Sequence, residues 1–288
     1  MNINLGKAIK LIRTNKGLTQ TYISNEILTQ GNLSKFENLN LEISGRSLIA
    51  ILSRLEMSLE EFIYINNGFR ITKRNNIIQK FHSLTYNDKK AIKNLLNDIE
   101  KYPKEGDDFL IEAIEEICTS LMTLLKTNNI EKARKGISKI WTHLGKRNHL
   151  YISDIYLLNS MLFFFPVQNG REIIKYLFRG IDKYKNFKGI EKIKINCLLN
   201  FSIILIKNRE YKEALIYIEN AISICKIHKE YSNISVCYIR KGICLNQINK
   251  ESKTVFWFNK GFNLLKALDE TDLLDQLNDE VESLNYKV

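Results

Sequence analysis

Apolar residues fall along this chain at intervals of three and four, segment after segment, and five short runs of this kind fill the first 66 residues. Leu5, Ile9, Leu11 and Ile12 mark a first helix, with Gly17 as its C-terminal stop. Thr19 caps a second helix over residues 20–28, which carries Tyr22, Ile23 and Ile27 on its apolar face. Thr29, Gln30 and Gly31 form a turn, and Asn32 to Asn38 a third, short helix with Leu33 and Phe36 pointing inward. A fourth helix runs from Ser47 to Leu55 and buries Leu48, Ile51, Leu52 and Leu55. Ser58 caps a fifth, which uses Leu59, Phe62 and Ile63. Two short helices joined by a three-residue turn, inside a bundle of five, describe a helix-turn-helix.

Further along, the helical pattern recurs on a longer period. The segment Asn208 to Ala221 carries Tyr211, Ala214, Tyr217 and Ala221, and resembles the second half of a tetratricopeptide repeat. Its Ala214 position recurs at Ala133, Ile173 and Thr254, so the spacings are 40, 41 and 40 residues. The period exceeds the usual 34 of that motif, which implies longer helices or loops. A single repeat cannot bury its apolar face alone; stacked repeats do, and they leave a concave inner surface lined by the first helix of each pair. Those first helices are expected over 153–165, 193–206 and 235–246. On the same period Asn159, Asn200 and Arg240 are equivalent, as are Tyr156, Cys197 and Cys237 one turn earlier. Asparagine offers both donor and acceptor, so such a ladder suits the backbone of an extended peptide, and Tyr156, Asn159, Asn200 and Arg240 are candidate peptide contacts. Solvated or packing asparagines are the alternative. Leu284, Tyr286 and the acidic run Asp269 to Glu282 are expected to form a capping helix.

The expected fold is therefore all-α. A five-helix helix-turn-helix bundle occupies 1–66, a linker with connecting helices 67–104, and a tetratricopeptide-like α-solenoid 105–288, the last binding a ligand and dimerising.

Composition narrows the class. Two prolines, Pro103 and Pro166, and 13 glycines leave long stretches free to be helical. No run approaches the 18 apolar residues of a membrane span and no signal-like segment opens the chain, so the protein is expected to be soluble and cytoplasmic, without a membrane partner. Five cysteines is an odd number, none stands in a CxxC pair, and the four histidines are scattered; buried thiols and no metal site or cofactor are expected. No clustered acid–base pair, nucleophile motif or glycine-rich phosphate loop points to an enzyme, and no catalytic residue is assigned.

The formal net charge is +11, a sign that favours polyanionic partners. Residues 1–69 are nearly balanced, with seven basic and six acidic side chains, whereas 70–104 carry nine and three. The run Arg70 to Arg74 suits either a DNA backbone or a solvated helix end. Between Arg171 and Lys212 eleven basic residues face four acidic ones, which implies a ligand with an acidic group.

The third helix has the chemistry of a DNA reader. With Leu33 and Phe36 inward, Gln30, Gly31, Asn32, Ser34 and Lys35 remain on the other face. Glutamine and asparagine can pair bidentately with adenine, and glycine lets the backbone come close. Gln20, opening the second helix, is placed to meet a phosphate; Arg13 and Lys16 are candidate backbone clamps. Glu37 reads as structural, because phosphate would repel it.

The stretches Leu18-Thr-Gln-Thr-Tyr-Ile-Ser24 and Gly31-Asn-Leu-Ser-Lys-Phe-Glu37 resemble the xenobiotic-response-element (Cro/repressor-like) domain. With Glu42-Ile-Ser44, Arg46-Ser-Leu-Ile49, Leu59-Glu-Glu-Phe62 and the helical repeats that follow, the whole layout resembles the Rgg/GadR/MutR regulators, within the group of peptide-sensing receptors of Gram-positive bacteria. The resemblance implies a quorum-sensing transcription regulator. In such a protein a homodimer binds double-stranded DNA at an inverted repeat, and a short signalling peptide, held by asparagines such as Asn159 and Asn200, changes transcription. Two departures stand out. The usual Glu-x-Gly after the recognition helix reads Glu37-Asn-Leu39, and no cysteine is present in the first domain to join two copies. A second reading keeps the DNA-binding domain and makes the repeats a scaffold for dimerisation or protein docking only, with no peptide.

Overall fold

The computed structural model of the chain describes residues 4–39, 41–103, 106–248 and 251–284. Among them all regular structure is helical, in two compact units, Met1–Asn76 and Ile77–Val288.

The first unit holds α1 (Leu5–Asn15), α2 (Gln20–Ser24), α3 (Gln30–Leu39), α4 (Gly45–Arg54) and α5 (Leu59–Asn66). Hydroxyl and amide caps start most of them. Asn4 accepts from the Lys7 amide, Thr19 from Tyr22, Ser44 from Ser47 and Ser58 from Glu61. Gly17, at φ +68°, closes α1 as its place in the sequence predicts. Ile9, Ile12, Ile23, Leu33, Phe36, Ile51, Leu52, Leu55 and Phe62 form the core. Leu11, Tyr22 and Leu59 do not join it; each is more than half exposed, on the outer side of its helix.

The helix-turn-helix boundaries differ from those expected. The second helix ends at Ser24, not 28, because Asn25 leaves the helical region and Glu26 takes φ +58°. Arg54 reaches from α4 to the freed carbonyls of Tyr22 and Ile23, at 3.0 and 3.3 Å, and also donates to Asn25. The third helix begins two residues early, at Gln30, because the Thr29 hydroxyl accepts from the Asn32 amide at 3.2 Å. Gln30 and Gly31 thus belong to the first turn of α3 rather than to the connecting turn. Gly6 has a packing reason to be glycine: a Cβ there would stand 1.9 Å from the carbonyl oxygen of Phe36, so α1 and α3 touch through backbone.

In the second unit, α6 (Lys73–His82) and α7 (Lys89–Glu100) precede four helix pairs: α8 (Phe109–Thr127) with α9 (Ile130–Leu144), α10 (Ile152–Met161) with α11 (Val167–Ile181), α12 (Ile190–Lys207) with α13 (Tyr211–His228), and α14 (Tyr231–Gln247) with α15 (Glu251–Ala267). A last helix, α16 (Thr271–Ser283), follows. Sequential helices pack on one another, as in an α-solenoid. The period-marking residues Ala133, Ile173, Ala214 and Thr254 are all buried, each on the second helix of its pair. At Gly261 a Cβ would lie 2.6 Å from Ile239 Cγ1 and 2.9 Å from the Ser235 carbonyl, so α15 crosses α14 at close range. Ile77, Phe81, Ile92, Leu95 and Ile99 belong to this second core, which takes in most of the stretch expected as linker. The helix α16 buries Leu277, Glu280 and Val281; Tyr286, expected beside it, lies outside the described residues. No described helix is long and apolar enough to cross a membrane.

Candidate DNA-reading face and concave cleft

In the first unit, α3 turns Leu33 and Phe36 inward and leaves Gln30, Gly31, Asn32 and Lys35 exposed, with Ser34 half-buried. Gln30 donates to Gln20 Oε1 at 2.6 Å, and Gln20 donates to Glu37 Oε2 at 2.7 Å. Glu37, 1% exposed, also accepts from Arg13 Nε at 2.7 Å and Nη2 at 2.8 Å. Burial works against the Glu37 carboxylate, but hydrogen bonds from Arg13 and Gln20 outweigh it and hold its pKa below the usual range. These bonds form one chain, Gln30–Gln20–Glu37–Arg13, that sets the start of α3 against α1 and α2. Arg13 is thereby corrected. Expected as a phosphate clamp, it is buried, spends two donors on Glu37 and gives Nη1 to the Leu18 carbonyl at 2.8 Å, so its charge is neutralised inside the unit. Lys16 and Lys35 remain exposed cations.

The second unit opens a cleft of about 530 Å³ on its inner side. It is walled by α10, α12, α14 and α16 and by residues 81–87 between α6 and α7. The structure brings Tyr156, Asn159, Asn200 and Arg240 together on this wall. Cys197 and Cys237, one turn earlier, are fully buried behind it, and all five cysteines are buried free thiols. The volume lies within the about 300–1,000 Å³ common for small-ligand sites.

Each wall residue has its own setting. Tyr156 stacks flat on His82, ring centres 3.5 Å apart and planes 8° from parallel. Burial lowers the His82 pKa to about 4, so the imidazole is neutral at pH 7. Asn200 is half-buried and makes no side-chain hydrogen bond among the described residues. Asn159 is 6% exposed and its Oδ1 has no hydrogen-bond partner. Two further buried, unpartnered oxygens, Asn87 Oδ1 and Gln276 Oε1, belong to the same wall.

Arg240 differs from the asparagines it was aligned with. It donates Nε and Nη2 to Glu280, both at 2.8 Å, and Nη1 to the Leu199 carbonyl at 2.7 Å. Burial disfavours its charge and the Glu280 carboxylate outweighs that. Tyr86 approaches the same carboxylate at 3.4 Å. Arg240 is therefore a strut tying α14 to α12 and α16, not a free cation. The acidic ligand implied by the basic stretch 171–212 also loses its basis. Arg171 pairs with Glu213 at 2.5 Å and Glu210 at 3.5 Å, and of that stretch's cations only Lys192 lines the cleft. Asn87 and Gln276 lie outside the repeats, so no period could have pointed to them.

A helix-turn-helix unit joined to helical repeats with a concave cleft is the architecture of ligand-regulated DNA-binding proteins. Solved structures share it along their whole length. A candidate transcriptional regulator from Listeria monocytogenes EGD-e is 18% identical, with a TM-score of 0.79, over 99% of this chain and 98% of the other. PlcR of Bacillus thuringiensis, solved with the peptide PapR7 and DNA, is 18% identical, with a TM-score of 0.70, over 99% and 100%. The SHP pheromone receptor Rgg2 of Streptococcus dysgalactiae is 15% identical, with a TM-score of 0.69, over 97% and 99%. At such identities the likeness is one of fold. No family model matches the chain, and no curated protein matches it.

Proposed function

We propose that this chain is a cytoplasmic, homodimeric transcription regulator that binds an inverted repeat in double-stranded DNA through α3 and a short signalling peptide through the concave cleft. It is a receptor and not an enzyme.

The observation that carries the reading is the set of buried, unpartnered amide oxygens of Asn87, Asn159 and Gln276 on one cleft wall. Leaving a buried polar group unsatisfied costs about 1–3 kcal/mol each, and an extended peptide brings backbone N–H donors at regular intervals to satisfy them. Stacked Tyr156 and His82 supply an apolar surface beside them. Relatives in fold support the pairing of ligands, since PlcR is solved with both a peptide and DNA. On the DNA side, Gln30, Asn32, Ser34 and Lys35 are the proposed base readers, Gly31 permits close approach, and Gln20, oriented by Glu37, is the proposed phosphate contact.

The test is selection of duplexes from a randomised pool by the purified chain at fixed salt, followed by binding with added peptides. Enrichment of a two-fold symmetric sequence whose affinity one peptide changes supports the reading. Selective DNA binding that no peptide alters supports repeats acting as a scaffold. No enrichment removes the DNA-binding assignment.

A further inference from the structure

The polar wall of the cleft is one-sided. Its buried, unpartnered side-chain atoms are all acceptors, at Asn87, Asn159 and Gln276. Gln276 donates Nε2 to Asp88 at 3.3 Å, which fixes the other end of that amide as the oxygen. Asn159 is more than nine-tenths buried, so its oxygen can be satisfied only from within the cleft.

The charged groups lean the same way. Arg240 and Glu280 cancel one another in a buried pair, and His82 is neutral. Lys192, Glu230 and Glu270 remain. Neither glutamate forms an ion pair among the described residues. Glu230 accepts from Asn233 at 3.2 Å, and Glu270 from the Ser232 hydroxyl at 2.8 Å. Ser232 and Asn233 are neighbours in the first turn of α14, so both carboxylates stand at one end of the cleft. They are also equivalent on the repeat period, 40 residues apart, as the residues directly before α14 and α16. A helix N-terminus favours an ionised carboxylate, so both charges persist at neutral pH.

We propose that this end of the cleft recognises a cationic group of the bound peptide, its free N-terminal ammonium or a lysine or arginine side chain, and that Glu230 and Glu270 are the specificity-determining residues. The inference rests on the peptide reading above and reverses the charge preference that the basic stretch 171–212 suggests. An ammonium or guanidinium brings only donors, which matches a wall whose open positions are acceptors.

The test uses the purified full chain and four synthetic heptapeptide pools: free or acetylated N-terminus, each with or without lysine and arginine. Retained peptides are identified by mass spectrometry. Wild type is expected to prefer cationic over neutral peptides roughly fivefold or more, the size of a partly exposed charge pair. The pools that show the preference tell terminal ammonium from side chain. The double variant Glu230→Gln/Glu270→Gln, with thermal unfolding as the check that it folds, should retain peptides and lose the preference. Equal retention of neutral or acidic peptides by wild type, or an unchanged preference in the double variant, overturns the proposal alone. No retention from any pool overturns the peptide reading and the proposal with it.

Discussion

Glu37 holds the DNA-reading unit together from inside. Removing its charge strands Arg13, buried to 8% exposure, and breaking a buried pair this way costs about 3–5 kcal/mol. Glu37→Gln is expected to speed amide exchange in α1 and α3 by the corresponding factor, whereas exchange at the wild-type rate would place the pair outside the stabilising core. Lys35→Ala leaves the fold intact and weakens operator binding by about 1–3 kcal/mol if Lys35 reads a base; equal loss on all sequences would make it a phosphate contact. His82 gives a pH signature. In the unfolded chain it titrates near its ordinary value of about 6.5, and in the fold only at about 4. The unfolded state therefore binds more protons between those values, and stability is full above the upper one and declines as pH falls toward the lower. Both tryptophans, Trp141 and Trp257, lie in the second unit, so their fluorescence follows its unfolding. His82→Phe should remove that part of the pH dependence, and an unchanged profile would assign it to other groups. At this scale the sequence was read unevenly. Asn159 and Asn200 were legible because a period marks them. The ties of Arg13 to Glu37, 24 residues away, and of Arg240 to Glu280, 40 away, were not, because nothing in local spacing announces a tertiary ion pair.

At the scale of elements, close helix crossings set the tolerances. A methyl group at Gly6 would meet the Phe36 carbonyl at 1.9 Å, and backbone cannot step aside as a side chain can. Gly6→Ala is expected to part α1 from α3 and destabilise the first unit by about 1–3 kcal/mol, the usual range for overpacking. Operator binding should fall with it; full retention of both would mean that the crossing is looser than its geometry. The helices were legible from apolar spacing and hydroxyl caps, and α1, α4 and α5 lie close to where that spacing puts them. The ends of α2 and the start of α3 were not, since they depend on Arg54 from another helix and on a left-handed Glu26. The close fit at Gly261 was foreshadowed by the small residues of the repeat.

Across the whole molecule, the repeat period predicted the stacking and which helices face inward. It did not predict that α16 and residues 81–87, both outside the repeats, would complete the cleft wall. A ligand there changes DNA binding only if it favours one of two states of the protein, so tight peptide binding by itself regulates nothing. The most direct measurement of this account is the affinity of the full chain for its selected operator, with and without the retained peptide, for wild type and Asn159→Ala. The account predicts a peptide-dependent change in wild type on the order of 5- to 150-fold, as is usual for coupled sites. It also predicts that Asn159→Ala keeps the peptide-free affinity and loses the response. A variant that still responds as wild type does would contradict it.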